Sequence, residues 1–443
     1  MSTSVTRILR SSVLPFIVLI LVSFGFVTVH ATAHGPISPF DEYVYLDYLA
    51  KVPTEGLVRS GEETGDVARN AISCRGVLNY GAYGEGCNTG THQDDKKYPY
   101  NGGTGADIYT PLYFAATWVA AQPLTWFGVD LLDAGRLVGG LWLALGLSLT
   151  YALLRLLRVD KAIALGLSLS LIATPVVLWA TTYLSTDAPT LAVAAAVGCV
   201  AVLVARRRIH VAWLPAISAV AVLFKVQNLA AVGAAVVGVV AWTFMEAHRS
   251  ERGGSRHPVV VRSLVDRRTI AAVVALIAGV GAQAAWLVFR VLATPANAKS
   301  AVVDSVRQPL SLTSLVTEAF RFLRSIGSTD AVANVLGVLT GNLLTILVIA
   351  ALIGILIDWR SRPVAHTSVA LAVLLAALAM GPALSLAVRA SVGFYFPLPA
   401  RYGLVLVPGF LAALGLYFYR FSRFGRSVVL GLGSLAALAA LLM

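Results

Sequence analysis

Residues 13–49 read VLPFIVLILVSFGFVTVHATAHGPISPFDEYVYLDYL. The first part, 13–29, carries no charge and as a helix is long enough to cross most of a hydrocarbon core about 30 Å thick. About ten residues later Asp41, Glu42 and Asp47 stand among tyrosines. An apolar span leading at once into an acidic, aromatic segment implies a membrane protein with chemistry at the membrane surface.

Similar stretches recur at 134–154, 162–182, 187–205, 270–292, 335–357, 366–388, 402–419 and 427–443. Residues 211–245 are too long for one span and carry Lys225, Gln227 and Asn228 near the middle. They read as a helical hairpin whose polar turn reaches the membrane surface. Residues 111–128, PLYFAATWVAAQPLTWFG, hold Pro123 and two tryptophans and read as an interfacial or re-entrant helix. Of the 443 residues, 58% are hydrophobic and 13% charged, with a mean hydropathy of +0.78. A soluble domain carries about 25% charged residues. The expected fold is an all-α polytopic membrane protein of about 11 spans, with an interfacial helix and a long extracytoplasmic first loop.

The net charge of +12 has to be located before it is interpreted. Its clusters are Arg7/Arg10, Arg155/Arg158/Lys161, Arg206 to Arg208, Arg249 to Arg268, Arg360/Arg362 and Arg420/Arg423/Arg426. All fall on one side if 211–245 crosses twice and 111–128 does not cross. By the positive-inside rule that side is cytosolic, so the charge is an orientation signal and implies no nucleic-acid partner. A rival topology makes 111–128 a twelfth span, with the N-terminus outside. A cleavable signal peptide ending near Ala31-Thr32-Ala33 is a further alternative.

The chain then divides into 1–29 (cytosolic tail and first helix), 30–133 (extracytoplasmic loop with interfacial helices) and 134–245 (spans). The basic cytosolic linker 246–269, the span 270–292, an outer loop with an amphipathic helix at 293–334 and the spans of 335–443 follow. The expected location is a bacterial plasma membrane, with the active site outside. An Ala/Val/Arg-rich composition fits a high-GC bacterial genome.

Loop 30–109 holds 11 of the 22 acids and is too long for a passive connector. Cys74 and Cys87 lie in it, where an oxidising compartment permits a disulfide; the alternative is two unrelated thiols. On a helix Asp41, Tyr45 and Tyr48 share one face. A carboxylate partly desolvated among aromatic rings makes a good general base; the plainer reading is an acidic helix start. Asp187, in YLSTDAPT (183–190), sits at an outer mouth as either a cavity-lining acid or a helix N-cap before Pro189. Lys225, Arg389 and Arg401 are cations on the side where the topology demands none. They suit phosphate oxygens or, as an alternative, lipid headgroups. Residues 312–326 put Leu312, Leu315, Val316, Ala319, Phe322, Leu323 and Ile326 on one stripe, with Glu318, Arg321 and Arg324 off it. That is an amphipathic surface helix. His30, His34 and His92 form no recognised metal-ligand spacing.

One span, an outer loop opening with Asp41-Glu42, Pro111-Leu112-Tyr113, a second outer acid, a mid-chain lysine and the late pair Arg401-Tyr402 occur in this order. Over about residues 13–245, and more loosely at 389–402, the chain resembles the GT-C superfamily of membrane glycosyltransferases. Within it, the chain looks most like bacterial protein-mannosyltransferase and aminoarabinose-transferase types. The resemblance implies Asp41 or Glu42 as catalytic base, Asp187 and Asp47 as residues positioning acceptor or metal, and Lys225, Arg401, Tyr402 and Arg389 as donor-phosphate ligands. It implies a polyprenyl-phosphate sugar as co-substrate and a lipid, glycan or protein acceptor; a divalent metal is an open option. Tyr109-Thr110-Pro111-Leu112-Tyr113-Phe114 stands where such proteins often have His-Pro-Pro-Leu-Tyr-Tyr. Two competing functions are a lipid or amphiphile transporter, and a non-catalytic GT-C-like assembly protein. Convergence of Asp41, Asp187, Lys225 and Arg401 on one outer cavity is the structural discriminator: scattering favours the assembly protein, and a bulk polar tunnel through the midplane favours the transporter.

Overall fold

The computed structural model describes residues 13–251, 259–295, 308–327 and 334–442. Arg7 and Arg10, residues 252–258 of the basic linker and parts of the 293–334 loop lie outside them. Seventeen α-helices occur among the described residues, in this order. They are α1 Leu14–Ala33, α2 Glu42–Glu55, α3 Asp66–Arg75, α4 Leu112–Trp126, α5 Leu131–Leu156 and α6 Lys161–Ser170. Then come α7 Pro175–Thr182, α8 Thr190–Ala205, α9 Trp213–Phe224, α10 Leu229–Glu251, α11 Val259–Leu264 and α12 Arg267–Ala293. The last are α13 Leu312–Arg321, α14 Val335–Ile357, α15 Val364–Val392, α16 Val407–Tyr417 and α17 Arg423–Leu442. The protein is an all-helical, multi-pass membrane protein.

Among the described residues, eight helical segments are long and apolar enough to cross a membrane, and α6 with α7 makes a further apolar stretch bent by 70° at its break. Pro175 sits in the first turn of α7. A proline there contributes no N–H and favours extended backbone before it, so the helix breaks. α8 and α9 are shorter apolar helices. Together these elements occupy the eleven stretches expected from hydropathy. α4 has 15 residues, about 22 Å of helix, and ends on the exposed Trp126 and Phe127. Among the described residues it is not one of the helices long and apolar enough to cross a membrane.

Polar residues at helix starts set several boundaries. Asp130 accepts from the Leu132 and Asp133 amides, Asp160 from Ala162, Asp266 from Arg268 and Asn334 from Gly337; these satisfy N–H groups that a helix start leaves open. The basic loops touch one another. Arg426 pairs with Asp160 at 2.9 Å, Arg207 with Asp266 at 3.4 Å, and Arg249 donates to the Arg362 carbonyl. They therefore gather at one end of the bundle.

Lipid tails are as apolar as leucine, so span packing relies on close backbone approach at small residues. A Cβ on Gly139 of α5 would run into the Thr181 carbonyl of α7, and one on Gly433 of α17 into the Gly166 carbonyl of α6. Gly139→Val is expected to destabilise the fold by about 1–3 kcal/mol through overpacking. A thermal melt of the detergent-solubilised protein that shows no drop would refute this.

Residues 34–110 fold as a cap. Its apolar core joins Tyr43, Tyr48, Leu49 and Ile72 to Phe114 of α4 and Leu184. Cys74 and Cys87 form a disulfide. On the adjoining turn, Arg75 bridges Asp130 and Asp133 at 2.6 and 2.7 Å. Cys74→Ser with Cys87→Ser is expected to cost about 3 kcal/mol, the scale for a loop of this length. Unchanged thermal stability of the double variant, or of the wild type under reductant, would contradict it.

α13 is the amphipathic helix of the 293–334 loop. Glu318, off its apolar stripe, is fully buried, while Leu312, Val316 and Phe320 are exposed. Glu318 accepts from the Tyr395 hydroxyl at 2.6 Å, the Leu398 amide at 3.2 Å and Arg321 at 2.6 Å. An apolar helix face can turn to lipid as readily as to protein, so amphipathicity alone did not say which side is inward.

Candidate active site

α2 begins at Asp41, which adopts left-handed backbone at φ 62°. This turn points the two neighbouring acids in different directions. Asp41 Oδ1 accepts from the Tyr100 hydroxyl at 2.7 Å and remains partly exposed. Tyr45 and Tyr48 continue its face, with the Tyr45 hydroxyl 3.1 Å from that of Tyr109 and the Tyr48 hydroxyl 3.4 Å from the Tyr109 carbonyl. Burial first, and the neighbouring Tyr109 and Asp41 next, hold the Tyr45 phenol well above its ordinary pKa. Burial, then Tyr402 and Asp41, do the same for Tyr109. Both phenols stay neutral hydrogen-bond donors at any physiological pH.

Glu42 points the other way and is fully buried. Its two oxygens accept from Arg136 Nε and Nη2, each at 2.8 Å, and from the Leu184 and Ser38 amides at 2.8 and 2.7 Å. All the strong acceptor positions of the carboxylate are filled, two of them by a bidentate guanidinium. Such a group is a structural clasp between α1's exit, α2, α5 and the α7–α8 connection. Of the two acids offered by the sequence, Glu42 is buried and held by four hydrogen bonds, while Asp41 is the partly exposed one.

Asp187 lies in the turn between α7 and α8 and is buried. It is not an N-cap: Pro189 takes that position, and the Asp187 carboxylate turns inward. Its Oδ1 is 2.6 Å from Lys225 Nζ and its Oδ2 is 3.7 Å from Arg401 Nε. Lys225 also lies over the rings of Tyr402 (5.2 Å) and Tyr109 (5.8 Å), and Arg401 over that of Phe40 (4.4 Å). Lys225 was expected at the membrane surface, yet it is buried, as are Gln227 and Asn228. The cap closes over the end of α9, Thr110 bonding the Leu223 carbonyl.

Asp41, Asp187, Lys225, Arg401 and Tyr402 thus meet beneath the cap. Two predicted members stand elsewhere. Asp47 faces the inside of the cap, accepting from the Gly65 amide at 2.7 Å and pairing with Lys51 at 3.1 Å; burial raises its pKa. Arg389 is exposed and donates to the Leu310 carbonyl at 3.4 Å. Tyr100, Tyr109 and Arg136 belong to the site or its support; Tyr109 opens the segment compared with the family's motif, while Tyr100 and Arg136 were not singled out from the sequence. Arg136 did carry a signal: it is a charge inside an otherwise apolar span, which demands a partner.

Among solved structures the chain is similar to the crystal structure of ArnT from Cupriavidus metallidurans bound to undecaprenyl phosphate, at 16% identity and a TM-score of 0.49. The match covers 95% of this chain and 62% of that one, so the chain spans about three-fifths of its length. No protein-family model matches the chain, and no curated protein matches it in sequence.

Asp187 already faces two cations, and among the described residues no three His, Cys, Asp or Glu side chains come together.

Proposed function

We propose that the protein is an integral membrane glycosyltransferase that moves a sugar from a polyprenyl-phosphate donor to a hydroxyl of an envelope acceptor. The location is the extracytoplasmic side of a bacterial plasma membrane, with the N-terminus cytosolic. The observation that carries this reading is the meeting of a partly exposed carboxylate, Asp41, with a cation pair, the buried Lys225 and the half-buried Arg401. In the reaction the acceptor oxygen attacks the anomeric carbon while its proton passes to the Asp41 carboxylate. The bond from that carbon to the phosphate oxygen breaks, and polyprenyl phosphate leaves with the electron pair. Lys225 and Arg401 stabilise the charge that develops on it, in a site that excludes bulk water. Asp187 holds the two cations in place when no phosphate is present, and the neutral phenols of Tyr100 and Tyr109 orient substrate oxygens.

The interior of the bundle favours this over transport. Transporters place ionisable groups and polar paths near the bilayer midplane. Here one cavity among α5, α8, α10, α15 and α16, about 90 Å³, is walled by Ala, Val, Leu and Gly with Trp242 and Ser368. The test is mass spectrometry of envelope glycans from wild-type and deletion strains, with turnover of a polyprenyl-phosphate sugar by the purified protein in nanodiscs. Identical glycans and no turnover would overturn the reading.

A further inference from the structure

A small cavity adjoins the cation pair. Phe40, Trp179 and Tyr183 wall it, and Ser185, Asp187 and Arg401 supply its polar groups. The enclosed space is about 20 Å³. One water-sized group requires about 10–15 Å³ on this measure, so the cavity takes a single hydroxyl and not a sugar ring.

The indole of Trp179 is held from two sides. It stacks on Tyr183 at 4.8 Å and 11°, and meets Phe40 edge-on at 5.0 Å. Phe40 in turn carries the Arg401 guanidinium on its ring. Trp179 Nε1–H is buried and has no acceptor among the described residues. Buried indole N–H groups are normally paired, and an orphan calls for an explanation. The Ser185 hydroxyl oxygen already accepts from the Asp187 amide at 3.1 Å. The cavity therefore offers a fixed donor in Trp179 and a carboxylate acceptor in Asp187, which together match one hydroxyl group.

We propose that this cavity is a specificity pocket for one hydroxyl of the transferred sugar, which accepts from Trp179 Nε1–H and donates to Asp187. The inference rests on the glycosyl-transfer reading. Lys225 and Arg401 take the phosphate, and the anomeric carbon is bonded to that phosphate. The hydroxyl on the next ring carbon is then the one nearest the pocket. A buried site built to bond a hydroxyl discriminates strongly against a donor that lacks it, because the protein groups are left unpaired.

The experiment is isothermal titration of the full-length protein in nanodiscs with farnesyl phosphate, and with farnesyl phosphates carrying mannose or arabinose. The 2-deoxy form of each sugar is titrated beside its parent. Wild type is expected to bind one glycosylated lipid at least tenfold more tightly than its 2-deoxy form. Trp179→Phe, which keeps the stacking and removes the N–H, is expected to lose about tenfold on that lipid and nothing on farnesyl phosphate. Equal binding of parent and deoxy forms by wild type would overturn the pocket, as would unchanged binding of the parent by Trp179→Phe. If Trp179→Phe also loses farnesyl phosphate, the parent-to-deoxy ratio in wild type decides alone. Failure of wild type to bind any of these lipids would instead overturn the donor reading itself.

Discussion

Asp41→Asn is expected to lower sugar transfer by about 10²–10⁴-fold, the usual contribution of a positioned general base. The substitution keeps a side-chain oxygen for the Tyr100 hydroxyl, which now bonds Asp41 at 2.7 Å, and removes only the capacity to take the acceptor's proton. Thermal stability should therefore stay within about 0.5 kcal/mol of wild type, the range of substitutions that touch no buried network. Binding of polyprenyl phosphate, which rests on Lys225 and Arg401, should also hold. The measurement is turnover in nanodiscs beside a melt and a lipid-binding isotherm. Near-normal turnover in a folded Asp41→Asn protein would remove the carboxylate from the mechanism. Glu42→Gln provides the contrast: its effect should appear first as lost stability, because all four of its hydrogen bonds are structural.

Arg136→Met should be the most destabilising single change, at about 3–5 kcal/mol. That is the range for breaking a buried ion pair from one side. Arg136 and Glu42 are both fully buried, and the guanidinium also donates to the His34 carbonyl and, at 2.8 Å, to the Pro36 carbonyl. Removing it strands a carboxylate inside the protein, where a lone charge is far costlier than an apolar side chain. It also releases the chain leaving α1. Adding Glu42→Gln removes the stranded charge while keeping an acceptor for one of the Ser38 and Leu184 amides. The double variant should then recover part of the loss. A melt showing Arg136→Met as stable as wild type, or the double variant worse than the single one, would sink the account.

The two predictions show why the neighbouring acids could not be told apart from their sequence. Asp41 and Glu42 have the same composition around them and the same place at a helix start. Their roles diverge because left-handed backbone at Asp41 sends one carboxylate toward Tyr100 and the other toward Arg136, which is 94 residues further along the chain. No local pattern contains that partner. Asp47 fails to join the site for a related reason. It lies on a different face of α2 and is satisfied within the cap by Gly65 and Lys51.

What the sequence determined by itself was the class, the limits of the apolar elements and the gathering of the described basic loops at one end. These are local quantities. Crossing a bilayer depends on length and hydropathy within one segment, and sidedness on the charge of the loops beside it. The order of acids, lysine and Arg-Tyr along the chain also pointed to the residues that meet beneath the cap. Only the tertiary structure decided which of them do meet. Asp187, Lys225 and Arg401 are drawn together by Coulomb attraction in a medium that solvates charges poorly. Arg389 and Asp47 find partners elsewhere. It also turned Glu318 inward against Tyr395 and Leu398, because in a membrane an apolar face carries no information about whether protein or lipid will cover it.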